Sequence, residues 1–312
     1  MISRRQSATD SPRVPSWQEI LDELRRRGGL DSQHTRLIEL SGGVTSAVVG
    51  VARAGTSAPE YVIKVHPQPA GIAGEATYLR AYAGAALLPR LHDVDPLGRY
   101  LVYTYLPGTV RHRPPFAGNR ATVLVELARQ LFSHYRPADT LTEAGVGGWL
   151  AEPADPRLTW QYRFLQTGLR DEWLEGRLPA DDLELVLELV RRSLEQTSSR
   201  PGYLLHGDCG PYNFVFRGRR LVGVIDAEPV LGEPLYDLAS VFTAWPGDFR
   251  LEALLPAVEA LTNWQPSSLR ALVEQVLVVL YGQTVACLMF HPENVTRYLD
   301  AWRYWKGLLA ST

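Results

Sequence analysis

Lysine is almost missing from this 312-residue chain: its 32 basic residues are arginines apart from Lys64 and Lys306. Neither lysine ends a Walker A loop, which needs Gly-Lys-Ser/Thr, because Lys64 follows Ile63 and Lys306 precedes Gly307. An ammonium and a guanidinium are not interchangeable, so a lysine kept in such a sequence invites a chemical reason. Cysteine is equally scarce. Cys209 and Cys287 cannot build a disulfide framework or a Cys-rich zinc site, and free thiols in a reducing, cytoplasmic setting are expected. The seven histidines include no pair four apart, which excludes an H-E-x-x-H metalloprotease helix, and no Gly-x-Ser-x-Gly marks a hydrolase serine. Positive charge is not in excess either: 34 acidic against 32 basic residues give a formal −2, so no nucleic-acid partner is expected. Long apolar runs are lacking. Gln6 to Pro12 is polar where a signal peptide needs its apolar core, and residues 1–15 read as a disordered tail. The uncharged stretch from Gln275 to Pro292 carries Gln275, Gly282, Gln283, Thr284 and His291, which predicts a buried core helix and no membrane partner.

What is present suffices for two lobes. The length exceeds that of one small domain, and 46% hydrophobic residues suit a folded chain. Ser16 to Gly29 reads as a short amphipathic helix, after which the period changes. Residues 35–40, 47–53, 60–66, 87–93 and 99–106 are β-rich runs, with a helix over 72–82 among them. Beyond Pro107-Gly108 the pattern is helical: 120–135, 158–175, 181–196, 235–244, 248–261, 266–290 and 295–309. A capping-box-like Asp181/Glu184 opens the third of these. One hairpin, 214–216 with 221–225, interrupts the series. The expected fold is α+β, a small β-rich lobe over 1–106 and a larger helical lobe over 107–312.

The most informative stretch is His206-Gly207-Asp208-Cys209-Gly210-Pro211-Tyr212-Asn213, followed by the hairpin and Asp226. A hairpin centred between Arg219 and Arg220 lies midway between 213 and 226, so its strands return Asp226 to the neighbourhood of Asn213, within a residue of register. An amide oxygen, a carboxylate and a polyphosphate form an oxygen set suited to Mg²⁺. Asp208 would lie beside that ion, able to accept a proton from a hydroxyl.

These residues, with Val224-Ile225-Asp226 and Gly232-Glu233-Pro234-Leu235-Tyr236-Asp237-Leu238-Ala239, resemble the aminoglycoside phosphotransferase and choline kinase-like family, whose two-lobed fold is that of protein kinases. The resemblance runs from about residue 34 onward. It implies Asp208 as catalytic base, Asn213 and Asp226 as Mg²⁺ ligands, and phosphoryl transfer from a nucleoside triphosphate to a hydroxyl. In the first lobe, Ser41, Gly42, Gly43 and Ser46 form a strand turn whose N–H groups can cradle phosphates. Lys64 in Tyr61-Val62-Ile63-Lys64-Val65 is similar to the family's phosphate-contacting lysine, and Glu75 to its carboxylate partner. Leu101 to Gly108 is similar to the hinge, where the Thr104 carbonyl and the Leu106 amide would read the purine. Tyr103 leaves ATP or GTP open, with ATP the default. Two departures stand out: Ala227-Glu228 follows Asp226 where the family has a Gly two positions on, and Glu233 replaces the usual Asp before Pro234. Neither removes a metal ligand. A protein kinase is disfavoured, since His206-Gly207-Asp208 lacks the Arg of H-R-D and no Phe-Gly follows Asp226.

Other residues have quieter expected roles. His206 and Asp237 brace the loop, Glu228 is a supporting or turn residue, and Cys209 is packing. Negative charge gathers at Asp171, Glu172, Glu175, Asp181, Asp182, Glu184 and Glu188, a solvated helix face or an attraction for a cationic acceptor. Trp245, Tyr281, Trp302 and Trp305 line an acceptor pocket or the helical core. The expected partner is a hydroxyl-bearing small molecule: an aminoglycoside, a basic peptide or a nucleoside antibiotic. The alternatives are a metabolic kinase of choline, homoserine or a sugar, and an inactive nucleotide-binding regulator.

Overall fold

A computed structural model describes residues 15–40, 46–110, 120–144, 155–167, 178–197, 202–244 and 246–312. The expected tail before residue 15, the turn residues Ser41, Gly42 and Gly43, the acidic Asp171, Glu172 and Glu175, and Trp245 lie outside them.

Helix α1 (Trp17–Arg26) opens with a capping box: the Glu19 N–H donates to Ser16 Oγ at 3.3 Å, and the Ser16 N–H donates to Glu19 Oε2 at 2.7 Å. Five strands follow, β1 (His34–Glu39), β2 (Ala47–Arg53), β3 (Tyr61–Val65), β4 (Leu91–Val94) and β5 (Tyr100–Thr104), with α2 (Pro69–Ala81) between β3 and β4. They form one antiparallel sheet in the order β1-β2-β3-β5-β4. Strand alternation gives the sheet two faces. Ile63 and Val65 join Val49, Val51 and Tyr100 beneath Ile20, Leu21 and Leu24 of α1. Val62 belongs instead to the main core with Ile72, Leu79 and Leu101. Lys64 therefore shares the Val62 face, on the α2 side of the sheet.

The remaining elements are β6 (Thr109–Val110), α3 (Arg120–Gln130), α4 (Trp160–Thr167), α5 (Ala180–Thr197), β7 (Tyr203–Leu205), β8 (Phe214–Arg217), β9 (Arg220–Val224), β10 (Val230–Gly232), α6 (Leu235–Thr243), α7 (Leu251–Glu259), α8 (Leu269–Phe290) and α9 (Val295–Ser311). The chain is thus an antiparallel sheet followed by a mainly helical part, the α+β arrangement that the sequence predicts. The strand expected over 87–93 begins only at Leu91, because Leu87 and Leu88 are buried in the preceding turn. Helix α5 starts one residue before Asp181, which sits inside its first turn. Strands β6, β7 and β10 were not expected: runs of two or three residues carry no periodicity, and β7 pairs with β10, at least 25 residues further on.

Among the described helices, α8 alone is long and apolar enough to cross a membrane, and 67% of its most apolar window is buried inside the molecule. It is a core helix. Tyr281, Trp302 and Trp305 are likewise core, each at most 2% exposed. Lys306 acquires a structural role, pairing with the buried Asp182, whose other oxygen accepts from Trp302 Nε1 at 2.8 Å.

Candidate active site

A cleft of about 1940 Å³ is lined on one side by Ser46, Lys64, Tyr103 and Leu106, and on the other by Asp208, Asn213 and Asp226. The hairpin creates the second group. Phe214 lies opposite Val224, and the Ile225 N–H donates to the Asn213 carbonyl at 2.9 Å, so Asp226 emerges beside Asn213 as the spacing requires. A bulge between Val215 and Phe216 absorbs the one-residue slip. Asp226 has φ +64°, the only positive φ outside glycine among the described residues. Strained backbone of this kind concentrates at functional sites.

The Lys64 ammonium bonds Asp226 Oδ1 and lies 2.5 Å from Glu75 Oε2. Both Lys64 and Glu75 are buried. Burial alone would lower the lysine, but Glu75 and Asp226 outweigh it and hold the ammonium above its usual range. Burial pushes Glu75 up to about 7 against the pull of Lys64.

Asp208 is held by what precedes it. Gly207 sits at φ +81°, and a Cβ there would meet the Glu228 carbonyl oxygen at 2.1 Å, so only glycine fits. Asp237, in the first turn of α6, accepts from the His206 N–H at 2.8 Å, the Gly207 N–H at 3.0 Å and the Tyr135 hydroxyl at 2.7 Å. His206 is buried, and burial pushes it down to about 4. Neutral His206 fits its contacts: Nε2–H donates to the Ile225 carbonyl at 3.1 Å, and Nδ1 accepts the Asp208 N–H at 3.3 Å. Burial and the nearby Glu228 push Asp208 up to about 6, partly offset by Asn213. Asn213 Nδ2 donates to the Asp208 carbonyl and to Oδ2, each at 2.8 Å. That leaves Asn213 Oδ1 without a protein partner among the described residues. Cys209 is buried, its thiol pushed up by burial and Asp237, as packing requires.

The other expected residues divide. Leu106 lines the cleft, whereas Thr104 does not: its N–H donates to the Arg90 carbonyl and its Oγ1 accepts from the Arg90 N–H, both at 2.9 Å. None of Asp181, Asp182, Glu184 and Glu188 lines the cleft. Arg163 on α4 was not anticipated. Its guanidinium donates to the carbonyls of Glu228 at 2.7 Å, Pro229 at 3.2 Å and Gly207 at 3.3 Å, tying the loop of Asp208 to the segment after Asp226. Its partners lie 44 to 66 residues away, beyond any local pattern. A carboxylate, an oxygen pair and a fixed cation in one cleft can supply a proton acceptor, a seat for a hard cation and a contact for phosphate.

No curated protein sequence matches the chain. Solved structures do share its fold. The TM-score is 0.56 with APH(2″)-IIa in its ternary complex with streptomycin and ATP, at 17% identity over 93% of this chain and 99% of the other. With the GDP and kanamycin complex of APH(2″)-IIIa it is 0.54 at 14% identity, over 94% and 97%. A choline/ethanolamine kinase family protein from Mesorhizobium loti gives 0.51 at 20% identity, over 92% and 99%. Residues 36–272 match the phosphotransferase enzyme family. That span takes in most of β1, Lys64, the Asp208 loop, the hairpin and Asp226, and the chain accordingly belongs to this family of small-molecule phosphotransferases, with the two-lobed, protein-kinase-like fold of its members.

Proposed function

We propose that the protein transfers the γ-phosphoryl group of ATP to a hydroxyl of a small molecule, with an antibiotic as acceptor and resistance or self-protection as the outcome. The observation that carries this reading is the meeting, in one cleft, of the Lys64–Glu75 pair with Asp208, Asn213 and Asp226. Lys64 contacts the nucleotide phosphates, oriented by Glu75. Ser46, with Ser41, Gly42 and Gly43, covers the phosphates, and the hinge at Leu106 reads the base, its amide facing no competing partner among the described residues, while Thr104 stays held by Arg90. Asp208 takes the proton of the attacking hydroxyl. Hard oxygen donors suit Mg²⁺, and Asn213 Oδ1 and the Asp226 carboxylate are the residues to hold it. When bound, that ion neutralises phosphate charge. The described residues contain no group of three His, Cys, Asp or Glu able to hold a metal alone, so phosphate and water would complete the shell of a bound ion. A cytoplasmic setting, where ATP is found, accords with this activity, and residue 106 is the division between the lobes.

The test is nucleotide consumption with Mg²⁺ across aminoglycosides, basic peptide and nucleoside antibiotics, choline, homoserine and sugars, with product masses checked for one added phosphate. Asp208→Asn is expected to lower kcat by about 10²–10⁴-fold with nucleotide affinity little altered. A fully active variant would sink the base assignment. A metabolic acceptor is the second reading, favoured by the acidic residues of α5 standing outside the cleft. Tight nucleotide binding without turnover on any acceptor would favour a regulator.

A further inference from the structure

Six large apolar side chains are exposed among the described residues, and three of them, Val110, Tyr212 and Phe290, line the one cleft. Phe290 is 69% exposed at the end of α8. Tyr212 stands four residues after Asp208, and its hydroxyl lies 3.2 Å from His291 Nε2, which brings the turn carrying Asp208 against the end of α8. Apolar surface gathered at a cleft is normally covered by a ligand.

Charge on this wall points the same way. Among the described residues its carboxylates are Asp248 and Glu293 and its guanidiniums Arg120 and Arg297, and the same cleft also holds Glu228, 3.7 Å from Arg163. Asp248 accepts the Arg250 N–H at 3.0 Å, and Glu293 accepts from Asn294 Nδ2 at 3.2 Å with His291 Nδ1 at 3.6 Å. Arg120 is seated over Phe242 and Phe249, at 4.7 and 5.1 Å from the ring centres. Arg297 is exposed and has no ion pair or hydrogen bond among the described residues. Each of these carboxylates has a partner, whereas Arg297 has none among the described residues.

We infer that this wall is the acceptor subsite, and that it takes a hydroxyl-bearing molecule with an apolar body against Tyr212 and Phe290 and one acidic group facing Arg297, rather than a polycation. This rests on the phosphotransferase reading above, which brings the accepting hydroxyl to Asp208. Covering Phe290 and Tyr212 stabilises the complex in proportion to the apolar area removed from water. A polycation would shed water from several ammonium groups with no unpartnered carboxylate among the described residues of this wall to receive them, and Arg297 would repel it.

The probe 8-anilinonaphthalene-1-sulfonate has an apolar body and one negative charge, and its fluorescence reports transfer to an apolar site. With the full-length protein, Mg²⁺ and a non-hydrolysable ATP analogue, saturable binding at one site is expected. Arg297→Glu and Phe290→Ser should each weaken it at least tenfold. Both side chains are exposed, so neither change threatens the fold, and Arg36→Glu on the exposed face of β1 serves as control with unaltered affinity. Equal binding by both variants and the wild type overturns the inference, as does displacement of the probe by millimolar kanamycin. So does a higher kcat/KM for polycations than for every neutral or acidic acceptor. Probe binding does not need turnover. A protein that binds the probe as expected but phosphorylates no hydroxyl keeps the subsite and loses the catalytic reading, whereas transfer confined to polycations does the reverse.

Discussion

Lys64 on β3 is ion-paired with Asp226, 162 residues further along the chain, while the same ammonium reaches Glu75 at 2.5 Å. One buried cation thus joins the sheet, α2 and the segment that leaves the hairpin. A guanidinium is wider, planar and unable to sit as a point charge between two carboxylates. Lys64→Arg is therefore expected to lower kcat/KM with ATP by about 10–10²-fold at unchanged fold content by circular dichroism, an effect of roughly 1.4–2.8 kcal/mol. Wild-type kinetics in the variant would remove Lys64 from the phosphate site.

Arg163 predicts a different pattern. Because its guanidinium spans three carbonyls of two loops, Arg163→Ala should lower kcat about 10–10²-fold while nucleotide affinity changes less than threefold. Lysine cannot span the three and should rescue little. Steady-state kinetics and calorimetric titration of the nucleotide check this, and full rescue by lysine would show that charge alone matters.

Asp237→Asn replaces a carboxylate that accepts three hydrogen bonds with an amide that must turn its NH₂ toward one of those donors. A loss of about 1–3 kcal/mol of stability is expected, read as a lower denaturation midpoint at unchanged m-value. A midpoint equal to that of the wild type would mean that the loop is braced elsewhere.

His206 sets an acid limit. Burial holds it near 4 in the folded chain against an ordinary 6.5, so the folded state resists its protonation. The stability from keeping it neutral is complete above about pH 6.5 and is lost as the pH falls toward 4, a span on the order of 3 kcal/mol. Buried Glu75 and Asp237, pushed up to about 7 and about 6, act in the opposite sense over part of this window. The measurable quantity is the difference between wild type and His206→Gln, whose Tm gap should change by several degrees between pH 7 and pH 4.5 in favour of the variant at acid pH. Parallel pH profiles would contradict a neutral, buried imidazole.

How much was legible follows the range of each interaction. Helix α1 was readable from the helical spacing of its apolar residues, although its capping box was seen only in the structure. The approach of Asp226 to Asn213 follows from hairpin counting, because antiparallel register makes sequence distance from the turn equal to spatial distance from it. Lys64 and Glu75 were legible through resemblance, and strand parity agrees with them. The Arg163 clamp, the withdrawal of Thr104 to Arg90 and the burial of Asp182 against Lys306 were not, since each depends on how elements pack. For the same reason the sequence left the acidic residues of α5 open between a solvated helix face and a field for a cationic acceptor, and packing keeps the described ones off the cleft lining.

The sequence by itself determined the parts: a β-rich lobe and a helical lobe, a loop with Asp208 and Asn213, a hairpin returning Asp226, and one lysine on the third strand. These rest on local periodicity, turn chemistry and counting, which act over a few residues. Tertiary structure decided their use. It made Lys64 a bridge between two carboxylates and Lys306 the tether of a buried one, gave Arg163 three carbonyls from two loops, and set Tyr212 beside His291. Charge and shape complementarity between segments far apart in sequence come into being only when the chain closes on itself, so no local pattern encodes them.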